Sequence, residues 1–411
     1  MPNTLVTPAK PRLLCSLLTD EGQLREIRRE WSELLARSSS PEPMLSPEWL
    51  LEWWNIFGGI DGRRLRSLVV RDGERLVGLA LFTSRRYWHR GIIPFRRLEP
   101  LGCGEPESDS ICSDYLNVLA ERGCESAVAG AFARTTASGA LGPWDDMVLP
   151  RMDGDNIMPQ LLADAFRSRG FAAELNKTGD APYIELPSNW DDYLKGLTKK
   201  HRRSVVSSLH DFEAWAGNEF ELVQASTPAQ MDGGKRILID LHRQRWDTED
   251  GAGTFRSSQF LAFHDAVMPA LLREQALDLS WLTVRGEPIA AMYSIVWNNK
   301  VYFYQCGRKL DVPRTIRPGG VLLAYAIRAA IVAGRREFDF LGGVSLYKTQ
   351  LATARRPLVQ LRVARPGFVE SARKIAESSV GHARGIRNGF RRLGAWALIN
   401  GNAAATGARV R

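Results

Sequence analysis

The chain has 411 residues, 44% of them hydrophobic and 25% charged, and carries a formal charge of +9. That length favours two domains, each able to bury a core, and no apolar run reaches the roughly 18 residues that a membrane-spanning helix needs. Five cysteines, odd in number and without a CxxC pair, argue against both a disulfide framework and a zinc site.

The first segment, MPNTLVTPAKPRLLCSLLTDEG, has too short an apolar piece for a secretory signal, and an acid follows it at once. A reducing, cytoplasmic setting is expected. A helix is predicted at LSPEWLLEWWNIFG, with Trp49, Trp53 and Trp54 as packing surface. LRSLVVR and RLVGLALFT read as strands around the Asp72-Gly73-Glu74 turn, and SDYLNVLA as a third after a loop of Gly, Pro and basic residues. ESAVAGAFARTTASGA then reads as a helix and WDDMVLP as a strand. Two more helices are predicted, at NIMPQLLADAFRSRG and at WDDYLKGLTKKHRRSVVSSLHDFEAWAG.

The same order recurs in the second half. LSWLTVR, IAAMYSIVW and KVYFYQ form an antiparallel meander, with Asn298-Asn299 as a hairpin turn. VLLAYAIRAAIVA is apolar all round, hence a buried helix, and it stops at Gly334 before EFDFL resumes an extended pattern. Meander, helix, strand, met twice, predicts an α/β (α+β) fold of two related units, each a mixed, largely antiparallel sheet flanked by helices. The units are expected at residues 1–182 and 183–366, with a basic tail at 367–411. That tail accounts for most of the charge: residues 371–411 hold eight bases and one acid, which leaves +2 for the rest. In GHARGIRNGFRRLGAWALIN, the residues Ile386, Phe390, Leu393 and Ala397 would share one helical face beside Arg384, Arg387 and Arg391. That is the pattern of an amphipathic helix lying on an anionic membrane, at the inner face of which the protein would be peripheral. A disordered basic tail without a partner is the alternative.

Three strands, a helix entered through a basic glycine-bearing loop, and one more strand is the core order of the GNAT acyltransferases. SPEWLLEWWNIFG, SDYLNVLA, WDDMVLP, KKHRRSVVSSLHDFE and above all FDFLGGVSLYKTQLA resemble the CelD-type, BioF2-like acetyltransferase branch and, more distantly, the FemAB-type transferases, which carry two tandem GNAT units. The resemblance runs from about Trp31 to about Pro366. It implies two tandem GNAT-like units, with acetyl-CoA or another acyl-CoA as co-substrate and no metal.

On that reading the stretch RTIRPGG opens a helix whose first backbone N–H groups are unpaired and lie at the positive end of the helix dipole. Gly319 and Gly320 would let a pyrophosphate approach the backbone, and Arg314 and Arg317 would add charge-assisted bonds. Arg317 and Gly320 fit the family's phosphate loop, whose last place is Leu322 here in departure from the usual Gly or Ala. The plain alternative is a Pro-Gly-Gly turn that only starts a buried helix. The corresponding helix in the first half begins with Glu125, which would repel phosphate, so that half is read as a degenerate unit.

Amine acylation needs a base, something to stabilise the oxyanion, and an acid for the departing thiolate. Asp339, opposite in direction to Phe338 and Phe340 on its strand, is the candidate base, and a loop-capping carboxylate is the competing reading. Tyr347 is the candidate proton donor to sulfur. Lys348 resembles the lysine of the aromatic-Lys motif in FemAB-type enzymes and would stabilise the oxyanion or hold an anionic group. Lys199 and Arg202, on the polar face of KGLTKKHRRS, either are solvated or attract an anionic acceptor or the 3′-phosphate of the coenzyme; no sequence-specific nucleic-acid contact is expected. The resemblance implies N-acyl transfer to an amine, with an amino sugar or an envelope or polysaccharide precursor as the expected acceptor. The alternatives are FemAB-like aminoacyl transfer from charged tRNA and a catalytically silent scaffold tethered by its tail.

Overall fold

A computed structural model describes residues 13–246, 253–343 and 345–377. The first half contains β1 (Leu14–Leu18), α1 (Glu21–Glu26), α2 (Arg28–Arg37), α3 (Pro47–Phe57), β2 (Arg64–Leu65), β3 (Ser67–Asp72), β4 (Arg75–Ala80), β5 (Phe82–His89) and β6 (Ile93–Pro100). It continues through β7 (Leu119–Ala120), α4 (Glu125–Ala137), β8 (Asp146–Asp153), α5 (Met158–Arg167) and β9 (Ala172–Glu185). The second half runs α6 (Trp190–Gly196), α7 (Lys199–Ala216), β10 (Phe220–Gln224), α8 (Pro228–Trp246) and α9 (Ser258–Arg273). Then come β11 (Leu277–Val284), β12 (Glu287–Trp297), β13 (Lys300–Arg308), α10 (Pro318–Val332), β14 (Glu337–Asp339), α11 (Leu346–Leu351) and β15 (Ala354–Ala364).

The expected mixed α/β fold is present. β11, β12 and β13 form the antiparallel meander, and α10 returns the chain so that β14 lies parallel to β13. The buried helix ends as its sequence indicates: Gly334, at φ +65°, donates to the Ile331 carbonyl and Arg335 to that of Ala330, a Schellman arrangement that only a residue tolerant of positive φ completes without strain.

The sheets of the two halves are joined. One sheet of eleven strands runs β10-β11-β12-β13-β14-β9-β15-β8-β6-β5-β2, and β1-β3-β4-β7 form a separate small sheet. Two strands make the junction. The end of β9 pairs with β14, and β15, from the end of the second half, fills the space between β9 and β8 of the first. The boundary expected between residues 182 and 183 thus falls inside β9. Packing crosses it as well: Trp49 on α3 meets Phe263 of α9 and Tyr304 of β13 edge-on, at ring distances of 4.9 and 5.6 Å.

Three local expectations are corrected. SDYLNVLA forms only the short β7, because Tyr115, at φ +64°, turns its N–H to the Arg151 carbonyl and Asn117 takes the Val118 N–H on its own side chain. The stretch expected as a basic loop is the β5–β6 hairpin, whose turn places Arg90 and Gly91 at positive φ. The single long helix predicted from Trp190 to Gly217 is two, α6 and α7, because Thr198 takes an extended conformation and its hydroxyl caps the His201 N–H.

Residues 368–377, assigned by sequence to the basic tail, are helical and meet the first half through Arg373 with Glu174 (3.4 Å) and Arg90 with the Ala376 carbonyl (3.2 Å). Glu370 receives bonds from Arg362 of β15 (2.6 Å) and from Arg373 (2.7 Å). The amphipathic segment predicted further on lies outside the described residues. Burial pushes the Glu370 carboxyl up, but the hydrogen bonds from Arg373 and Arg362 outweigh it and hold it at about 2. A depressed acid stabilises above its unfolded value of 4.5 and loses that contribution as pH falls toward its folded value. Protection of the helix at 368–377 from hydrogen exchange should therefore fall between about pH 4.5 and 2, and Glu370→Gln should flatten that pH dependence.

Candidate functional site

The parallel pairing of β13 and β14 covers only three residues, Lys300 to Tyr302 against Glu337 to Asp339. Beyond it the strands part. The Phe340 N–H donates to the Pro182 carbonyl, so the chain after β14 follows β9 while β13 continues with β12. The opening between them is a groove of two cavities, about 680 and 490 Å³, that share Phe303, Cys306 and Tyr347 on their walls.

The larger cavity lies at the mouth of α10. Arg314, Arg317, Gly319 and Gly320 line it together with Arg308 from β13, and Ser204, Val205 and Ser208 from α7 close the other side. Arg317 occupies the N-cap position without capping the helix by its side chain, and its guanidinium instead reaches the Ser204 hydroxyl at 3.2 Å. With Pro318 in the first helical place, the N–H groups of Gly319 and Gly320 are the leading donors of the helix. A Cβ on Gly319 would come no closer than 3.5 Å to the Arg308 side chain, and one on Gly320 no closer than 3.8 Å to that of Arg317. The glycines therefore keep space for something outside the protein backbone. An uncapped helix mouth with three arginines suits a di-anionic ligand such as a pyrophosphate. Lys199 and Arg202 stand in the first turn of α7, and neither is on the wall of either cavity. In the first half α4 opens on an acid where α10 has none, and the Glu125 carboxylate accepts the Gly123 N–H at 2.8 Å.

The smaller cavity contains Lys348, Asp114, Cys112, Gln305 and the turn Leu341 to Gly343. Lys348 Nζ donates to the Phe340 carbonyl at 2.7 Å and to that of Gly342 at 3.3 Å, which leaves the third N–H of the ammonium unassigned by these bonds. Burial pushes its pKa down, and the carboxylates of Asp114 and Asp339 oppose this. Asp114 is contributed by the first half; it accepts the Gly342 N–H at 2.6 Å and pairs with Arg151. Around this point Cys112, Tyr115, Arg151 and Leu341 all adopt positive φ, a concentration of strained non-glycine backbone typical of functional sites. Gly342 has its own reason to be glycine, because a Cβ there would fall on the Arg151 guanidinium.

Asp339 lies behind this wall and on neither cavity. It is fully buried and accepts three bonds: from Tyr115 Oη (2.8 Å), Arg356 Nη1 (2.7 Å) and the Leu341 N–H (2.7 Å). Arg356 also binds both Glu337 oxygens (3.1 and 3.0 Å) and pairs with Asp153 at 3.2 Å. Burial pushes the Asp339 carboxyl up and the guanidinium opposes it, while burial and Asp339 push the Tyr115 phenol well up, so that it stays a donor. The reading of Asp339 as a carboxylate that holds a neighbouring loop fits this geometry better than the reading as a base. Asp114, Arg151, Arg308 and Arg356 were not singled out by sequence. The paired glycines of FLGG were the one signal that a close approach lay here.

Residues 199–349, from the start of α7 through most of α11, match a family model described as an acetyltransferase (GNAT) domain. This segment is a GNAT-type domain. It contains both cavities' shared walls and the whole of α10. No curated protein matches the chain. Among solved structures, FemX superposes with a TM-score of 0.55 at 8% identity, covering 81% of this chain and 95% of that one. The C-terminal domain of a putative lysylphosphatidylglycerol synthetase from Agrobacterium fabrum gives 0.50 at 12% identity, covering 87% and 96%. A conserved protein of unknown function from Bacteroides thetaiotaomicron gives 0.50 at 13%, covering 86% and 100%. These likenesses are of overall fold and span most of the chain.

One consequence concerns Arg356. Among the described residues it is the one cation that Asp339, Glu337 and Asp153 share, with Lys300 assisting at Glu337 (3.2 Å), so Arg356→Leu should lower stability by about 3–5 kcal/mol, measured by urea unfolding. A loss below about 1 kcal/mol, the range of exposed pairs, would show that the cluster contributes little.

Proposed function

We propose that the protein is an acyl-CoA-dependent N-acyltransferase whose co-substrate enters the larger cavity and whose amine acceptor enters the smaller one. The observation that carries this reading is the uncapped, glycine-bearing mouth of α10, ringed by Arg308, Arg314 and Arg317 and opening into a groove that reaches Lys348. Acetyl-CoA, or another acyl-CoA, would supply the activated acyl group as a thioester. Gly319 and Gly320 would receive its pyrophosphate on backbone N–H groups, with Arg314 and Arg317 as counter-charges.

The reaction centre would lie at the residues the two cavities share. The amine nitrogen bonds to the carbonyl carbon and the C–S bond breaks; the proton that leaves nitrogen passes to solvent water, the thiolate takes one from Tyr347, and the Tyr347 phenolate regains one from solvent, so that amine and thioester become amide and thiol with no net proton change. Lys348 would stabilise the charge that develops on the carbonyl oxygen, its ammonium held by two backbone carbonyls so that little reorganisation is needed. Asp339 would act at one remove by fixing the Leu341 N–H and hence the carbonyls that hold Lys348. The acceptor is proposed to be a small amine, such as an amino sugar or an envelope precursor; Lys199 and Arg202 would act on an anionic acceptor only as it approaches along α7.

Titration calorimetry with acetyl-CoA tests the reading directly. Absence of heat, with binding instead of an aminoacylated tRNA, would favour transfer from tRNA; absence of both would favour a silent scaffold. Gly320→Val, for which the structure has room, should reduce acetyl-CoA affinity by about tenfold or more, the scale of 1.4 kcal/mol, with an unchanged thermal melt. Lys348→Ala should reduce kcat by about 100-fold, the scale of one lost oxyanion donor, with acetyl-CoA affinity retained. Loss of affinity at constant turnover per complex would make Lys348 an anchor instead.

A further inference from the structure

The β5–β6 hairpin displays a surface that no part of the acyltransferase reading uses. Residues 85–97, RRYWHRGIIPFRR, contain five arginines and no acid. Arg85 and Arg97 turn inward to Glu99 and Asp146, at 2.5 and 2.7 Å. On the other face Arg86 stands directly opposite Arg96, and Trp88 opposite Pro94, and all four are exposed. Like charges opposite one another on a sheet are unfavourable. Arg96 is relieved by Asp145, but among the described residues neither Arg86 nor Arg90 has an ion-pair partner. The turn, residues 90–92, also carries Ile92, 71% exposed, and Trp88, 51% exposed, stands near the end of the strand that leads into it. Phe368, 88% exposed, lines a cavity of about 490 Å³ together with Arg96.

An indole and an aliphatic side chain at the end of the hairpin, with one arginine without an ion-pair partner among the described residues beside them (Arg90) and another further back (Arg86), suit a surface that is apolar inside and anionic at its rim. We infer that the hairpin is a docking element for an anionic lipid bilayer, with Trp88 and Ile92 entering the interface and Arg86 and Arg90 meeting lipid phosphates. A nucleic acid would satisfy the arginines and stack on Trp88, but it gives Ile92 nothing. The chain path supports the lipid. Arg90 Nη1 donates to the Ala376 carbonyl at 3.2 Å, so the described chain ends beside the hairpin, and the sequence that follows, residues 378–411, has six further arginines and no acid. The inference is independent of the acyltransferase reading.

Co-sedimentation of the full-length protein with phosphatidylglycerol-containing vesicles tests it, with pure phosphatidylcholine vesicles as the control. Binding is expected only to the anionic vesicles, and it should weaken as salt rises. Trp88→Ser with Ile92→Ser should lower the partition coefficient by about tenfold or more, since both apolar contacts are lost, while thermal melting stays unchanged because both side chains are exposed. Should that variant misfold, Arg86→Gln with Arg90→Gln serves in its place and should give a similar loss. Equal partition of wild-type and variant proteins would assign binding to the residues beyond 377 and overturn the proposal. So would failure of the intact protein to bind anionic vesicles at low salt, or binding to single-stranded RNA that Trp88→Ser abolishes while vesicle binding is absent.

Discussion

The guanidinium of Arg356 is the point on which the rest of the structure converges. It lies on the strand that the second half lends to the first, and it binds carboxylates from both: Asp153 on β8, Glu337 and Asp339 on β14. Its planar fork also lies over the rings of Tyr183 and Tyr115. A carboxylate as buried as Asp339 persists only if paired and fully hydrogen-bonded, and once satisfied it fixes the direction of the chain that follows it. That chain is the wall of the candidate site. Lys300 extends the cluster, pairing with Glu337 at 3.2 Å and with Glu42 of the first half at 3.6 Å, while Tyr302 donates to the same Glu42 at 2.5 Å.

From this fixed point the groove follows as a matter of register. β14 is held to β9 on one side and meets β13 for three residues on the other, so the two parallel strands have no choice but to part where β14 ends. Open α/β sheets bind ligands beyond the carboxyl ends of parallel strands, where a helix N-terminus also points. α10 provides that terminus. The first half contributes directly, because Asp114 holds Gly342 and the Trp49 indole donates to Ser113 one residue earlier at 2.9 Å. The first half thus shapes a wall of the groove that opens in the second.

How much of this was legible in the sequence depended on how local its causes were. The meander, α10 and its glycine stop were readable because alternation, all-round hydrophobicity and a C′ glycine act within one element. So were the basic residues and glycines at the helix mouth. The β5–β6 hairpin was hidden by its arginines, two of which are inward-facing and paired, so that strict polar and apolar alternation is broken at Arg85 and Arg97. Asp114, Arg151 and Arg356 could not be found from spacing, since their partners lie on strands and loops remote in sequence. Asp339 shows the limit most clearly: its alternation with Phe338 and Phe340 indicated the opposite face of the strand, but not that this face is filled by a phenol and a guanidinium.

The position of β15 has a consequence for how the protein is made. β8 and β9 do not pair with each other; the space between them is filled by residues 354–364, which follow the whole of the second unit. A ribosome therefore releases the first unit with two facing, unsatisfied strand edges, and nothing made up to that time can close them. Exposed edges of this kind are templates for wrong partners, and long-range pairing is slow to form. The two units cannot mature one after the other. They become finished together, when the last strand arrives.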